Sequence, residues 1–230
     1  MILTNAAAAA FNEIQAEPIV RFSLLALSSI FFLVDPLAAI PSFIAITHDA
    51  DIKRRKRVAR KGAFTCWIVL TAFAVGGQFI FHLFGITLPA FEIAGGLILL
   101  LIGLDMLEAR RSETQETTGE TEEAAAKEDA GIVPLGIPML AGPGAISSVM
   151  VLVGQAPSLW HWEMAAILGS IAVTALAAYW ILAAADKVRG FLGETGIGIL
   201  VRIMGLLLVA LAMQLFVNGL TDLGMIARLK

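Results

Sequence analysis

The chain has 230 residues, of which 58% are hydrophobic and 15% charged, with a mean hydropathy of +0.85. That composition excludes an ordinary soluble domain and points to a single integral membrane domain, residues 1–230, with lipid as its solvent. A net charge of −3 says little, because the charges are segregated rather than spread; nucleic acid is not an expected partner, and the lone cysteine, Cys66, excludes an intrachain disulfide or a cysteine-based metal cluster.

Residues 1–18 lack the basic-then-apolar order of a signal peptide, and Glu13 and Glu17 argue against one, so they read as a short exposed lead-in. Since about 20 apolar residues cross the hydrocarbon core, six spans are expected near 19–46, 62–84, 88–107, 131–154, 163–185 and 199–219. The first and fourth are over-long, and each contains a proline-broken motif. The first is Asp35-Pro36-Leu37-Ala38-Ala39-Ile40-Pro41, and the second runs Pro138-Met139-Leu140-Ala141-Gly142-Pro143-Gly144-Ala145-Ile146-Ser147-Ser148. Broken spans free backbone groups that can hold a polar solute in mid-membrane, and they survive in lipid only when buried or lining a cavity. Between spans 3 and 4 lies a hydrophilic stretch, 108–130, with eight acidic and three basic residues, which reads as a linker.

Lysine and arginine alone set the orientation. Placing Lys53, Arg54, Arg55, Lys56, Arg57, Arg60 and Lys61 in the cytoplasm puts the linker and the loop before span 6 (Lys187, Arg189, Arg202) there too. The balance is then 13 basic residues inside against 3 outside, Arg21, Arg228 and Lys230, and both termini are extracytoplasmic. Trp160 and Trp162 fit an outer aromatic belt.

A shift of 107 residues lays Asp35-Pro36 on Gly142-Pro143, and a shift of 109 lays Gly96-Leu97 on Gly205-Leu206. The expected architecture is therefore all-α, with two three-span repeats (about 19–107 and 131–219) of opposite topology and broken helices 1 and 4 meeting at one site. Chance matching of common Gly, Ala and Leu is the alternative.

Asp35 is the first candidate, because a mid-span carboxylate costs about 2.5–3.5 kcal/mol to insert and is functional by default. It can exchange a proton or touch a solute, or it can cap a half-helix that begins at Pro36; the two roles are compatible. Gly142 and Gly144 flank Pro143 and let a solute approach the backbone, while Ser147 and Ser148 follow in the first turns of a half-helix whose amides attract a carboxylate. A packing kink with serines bonded to their own helix is the alternative there. Glu92, Asp105 and Arg202 read as hydrated or snorkelling residues near the interfaces, Gln214 and Asn218 as partners for interhelical hydrogen bonds, and Gly95, Gly96 and Gly103 as close-packing positions. His48, His82 and His161 lack metal-site spacing and no nucleophile–base pair is evident, so no enzymatic activity, metal or cofactor is expected.

Asp35-Pro36 to Ile40-Pro41, the Gly136–Ile146 run with its Ala-Gly-Pro-Gly-Ala-Ile core, and the six-span layout together resemble the MarC family of bacterial inner-membrane proteins. The chain differs in its long acidic linker and in Leu37-Ala38-Ala39, where many relatives have a Gly- and Asn-containing stretch. The resemblance implies the bacterial inner membrane and a secondary transporter of small neutral amino acids such as glycine or alanine, coupled to a proton or sodium ion, with an oligomer compatible with the pattern. Asp35, Pro36, Gly142, Pro143, Gly144, Ser147 and Ser148 are the candidate substrate- or ion-binding residues. A non-transporting scaffold or stress-associated protein, or a pore for a small solute, are the rival readings.

Overall fold

The computed structural model describes residues 18–48, 50–108, 130–156 and 161–225; most of the acidic linker, Trp160 and both chain ends lie outside them. The described residues form eight helical segments and no strand: α1 (Pro18–Val34), α2 (Ala39–Ile46), α3 (Ile52–Phe84), α4 (Leu88–Leu107), α5 (Gly131–Leu140), α6 (Pro143–Gln155), α7 (Trp162–Ala183) and α8 (Ala185–Asp222). Four segments are each long and apolar enough to cross a membrane. Two bent pairs, α1 with α2 at 45° and α5 with α6 at 56°, bring the number of spans to six if each pair crosses once.

The breaks have local causes. Asp35 takes a left-handed conformation (φ 42°), which ends α1, and Pro36 to Ala38 turn before α2 starts. The sequence reading began the second half-helix at Pro36; the turn delays it to Ala39. In α5, Val133 and Ile137 leave helical φ/ψ for extended values because Pro134 and Pro138 follow them, and a residue before proline is sterically pushed out of the α region. Span 4 is thus irregular well before Gly142-Pro143.

Two stretches read as loops are helical. Asp51 accepts a hydrogen bond from the Arg54 N–H (2.8 Å), so α3 starts at Ile52 and carries the whole basic run. Its far end closes on Gly85 in the left-handed region, with Ile86 N–H bonded back to the Phe81 carbonyl. Likewise α8 begins at Ala185 and breaks at Gly193 (φ 66°, ψ 176°) before its apolar stretch from Thr195.

Helices α4 and α8 pack against each other at backbone distance. A Cβ on Gly96 would lie 2.7 Å from the Ala212 carbonyl, one on Gly103 would lie 3.0 Å from the Gly205 carbonyl, and one on Gly219 would lie 2.7 Å from that of Pro89. Positions rise on one helix as they fall on the other, so the pair is antiparallel, joined through small residues. The remaining helices share a larger buried core in which α1 packs on α7, and α3 on both α5 and α7.

Candidate functional site

Both breaks are buried in that core. Val34, Ala39 and Ile40 around the first break and Leu140, Ala141 and Ala145 around the second belong to one cluster, and α1 packs on α6 as α2 packs on α5. At the first, Asp35 is 8% exposed; its Oδ1 accepts the Ala38 N–H (3.2 Å), which is the capping role, while its Oδ2 is buried without a partner. At the second, Gly142 caps α6, Pro143 opens its first turn, and the Ile146 N–H bonds the Gly142 carbonyl (3.0 Å). Ser147 and Ser148 are buried one turn further on.

Helix α4 closes this second break from the side. A Cβ on Gly144 would lie 2.2 Å from Leu99 Cδ2, and one on Gly95 would lie 2.2 Å from Ser147 Oγ. The space that the sequence reading left for a solute at Gly144 is filled by Leu99. Gly95 does serve close packing, and what it admits is the Ser147 hydroxyl. Leu99 is the twelfth residue of α4, so the break sits midway along a 20-residue helix. Leu33 and Ala38, which flank the first break, pack on the small cluster of α4 and α8 residues that contains Leu99.

Two expectations for polar residues change. Glu92 is 4% exposed with Oε2 unpartnered, and is therefore buried rather than hydrated; Gly219 packs on its side chain, and Asp222 is near enough to interact with it electrostatically. Gln214 and Asn218 hydrogen-bond to each other along α8 (2.8 Å) instead of reaching another helix.

Sequence reasoning missed two threonines. Thr71 in α3 and Thr174 in α7 each bury an unpartnered hydroxyl. Thr47, Ser170 and Thr221, by contrast, bond back to the carbonyl four residues earlier, the usual resort of a helical hydroxyl. The signal was present, because a shift of 103 residues lays Ile68-x-x-Thr71-Ala72-x-Ala74 on Ile171-x-x-Thr174-Ala175-x-Ala177.

Helix α3 runs parallel to α5 and α6, since Gly62 meets Leu135 before the break and Gly77 meets Met150 after it. Phe22 meets Trp162 edge-on (5.5 Å between centroids) at the start of α1 and α7. At the other end Arg55 donates both to the Thr47 carbonyl (3.1 Å) and to Asp186 (2.6 Å).

Residues 20–223 match the family described as MarC family integral membrane protein. The chain belongs to the MarC family. Among relatives, it is 40% identical over 202 residues to a UPF0056 membrane protein of Methanocaldococcus jannaschii, 87% of this chain and 96% of that one. It is 34% identical over 191 residues to the UPF0056 membrane protein YhcE of Escherichia coli, covering 83% of this chain and 88% of the relative. YvbG of Bacillus subtilis is 34% identical over 193 residues, 84% of this chain and 90% of the relative. These names describe membrane proteins and assign no activity. No solved structure matches the chain. This MarC family member is accordingly an integral membrane protein.

Proposed function

We propose that the protein is a secondary transporter of small neutral amino acids, working by alternating access between two inverted three-span repeats. The observation that carries this reading is the pairing of two spans, each broken inside the buried core and packed against the other. The contacts support the repeat. The Gly96–Ala212 contact, shifted by 109 residues, becomes the Gly205–Gly103 contact, which is also present. In the same way the packing of α1 on α7 is mirrored by that of α5 on α3.

The second break suits the solute. The α6 N-terminus, with its orphan amides and the hydroxyls of Ser147 and Ser148, favours a carboxylate. With Leu99 against Gly144 the site is closed, and admission of a solute requires Leu99 to swing away, which makes it the gate in this reading. The surrounding small residues restrict the site to small side chains.

Counterflow of labelled glycine or alanine in proteoliposomes tests the proposal. Saturable exchange supports a carrier, flux linear in concentration indicates a pore, and absence of flux leaves a scaffold.

A further inference from the structure

The side of α8 turned away from α4 carries an amide pair on its lipid-facing surface. Gly205, Ala212 and Gly219 pack on α4, and at about 100° per residue Gln214 stands about 200° round the helix from Ala212. Gln214 and Asn218 are both exposed, and among the described residues their side chains bond only each other. We propose that this face of α8 is the contact of a homodimer, in which two α8 helices lie side by side and their Gln214 and Asn218 amides bond across the two-fold axis.

Depth is the first argument. Ala212 meets Gly96, the ninth residue of the 20-residue α4, so Gln214, two residues on, lies about 3 Å from that level and well inside the hydrocarbon. The bond from Gln214 Nε2 to Asn218 Oδ1 leaves the Gln214 oxygen, the second Nε2 proton and both Asn218 amide protons unsatisfied. Water would meet such groups on a soluble surface; lipid tails cannot. Spacing is the second argument. Ile203, Leu207, Ala210, Gln214 and Val217 are all exposed and follow one another at alternate steps of four and three residues. That is the seam of two helices crossing at about 20°, on which a polar side chain fixes the register. Third, α8 is the least covered of the four continuous spans, with 28% of its apolar stretch buried against 39% in each of the others.

A second copy is the occupant that this chemistry fits. Amides carry donors and acceptors together, so the patch is complementary to itself, and a two-fold contact forms every bond twice. No charged residue stands between Arg202 and Asp222 to demand an opposite charge from another protein. Each copy keeps its own pair of breaks, because the contact uses the side of α8 opposite α4, and the inference is therefore independent of what the protein carries.

The test uses full-length protein in native membranes, in a Cys66→Ser background, oxidised with single cysteines in place of Ala210, Val217, Met213 or, on α7, Leu176. Identical residues face each other across a parallel two-fold seam, so Ala210→Cys and Val217→Cys should give disulfide dimers. Met213→Cys and Leu176→Cys, exposed but off the seam, should not. Light scattering of the purified protein in mild detergent should give twice the chain mass of 24.4 kDa. Gln214→Leu combined with Asn218→Leu should raise the dimer dissociation constant about tenfold, the scale of interhelical hydrogen bonds in membranes. An unchanged melting temperature of the diluted monomer separates this lost association from lost folding. A monomer without disulfides means that lipid alone covers the face. Equal disulfides at all four positions mean random collision, and an adduct whose mass is not that of two chains means another protein. Each of these results overturns the homodimer, and a dimer that the double-leucine variant leaves equally tight overturns the role of the amides.

Discussion

A methyl group at position 144 has no room while Leu99 keeps its place, because the two atoms would stand 2.2 Å apart. Overpacking of this kind costs about 1–3 kcal/mol, so Gly144→Ala should lower stability by that amount. Leu99→Ala removes a side chain that is 2% exposed and should cost about 2–5 kcal/mol through the cavity it leaves. Combined, the second change makes room for the first, and the double variant should recover at least about 1 kcal/mol relative to the sum of the singles. Thermal or denaturant unfolding of the four proteins in detergent measures this, and simple additivity would mean that the side chains do not meet. Asp35, Gly142 and Pro143 were legible in the sequence because a charge or a proline stands out in an apolar run. Leu99, Thr71 and Thr174 were not. A leucine among leucines carries no mark, and a lone threonine in an apolar helix ordinarily bonds to its own backbone, so the 103-residue match around Thr71 and Thr174 gains meaning only once the geometry leaves their hydroxyls without partners.

At the scale of elements, hydropathy marks the stretch that lipid must cover and nothing beyond it. The six apolar stretches and both breaks could therefore be read in advance, whereas the polar extensions of α3 and α8 could not, because lysine and arginine are good helix formers that score as loop on a hydropathy scale. Gly193 makes the second extension testable. Its φ of 66° with ψ of 176° lies in a region closed to residues with a Cβ, and no atom lies within 4 Å of where that Cβ would be. Gly193→Ala should therefore destabilise by about 1–3 kcal/mol through backbone strain alone. Gly198, one turn further on in regular helix with equally open space around it, provides the control. There alanine should stabilise by up to about 1 kcal/mol, since glycine is the poorer helix former. Opposite signs in the two melting curves are expected; a neutral Gly193→Ala would show that α8 runs straight through this position.

For the whole molecule, two anchors define its ends. Phe22 on Trp162 marks one, and the Arg55–Asp186 pair with the Thr47 carbonyl marks the other. The second anchor puts the basic start of α3 on the same face as the start of α8 with Lys187 and Arg189, as a six-span path requires. The proposed repeat is harder to read than the spans, because its three parts need three different shifts and the common residues Gly, Ala and Leu make short matches cheap. Charge predicts the direction of the path: with six crossings, 13 of the 16 lysines and arginines are expected on the Arg55 side, and basic residues flanking spans favour the cytoplasm. In a Cys66→Ser background, which removes the buried native thiol, single cysteines at Ala50 and Glu120 should resist a membrane-impermeant maleimide in intact cells and react once the cells are permeabilised. A cysteine at Ser158, between α6 and α7, should react in both conditions. Reaction of positions 50 and 120 in intact cells, with protection at 158, would turn the molecule over. Any amino-acid binding at the breaks would survive that result, because both lie near mid-span, but the assignment of termini and of the acidic linker to their sides would be reversed.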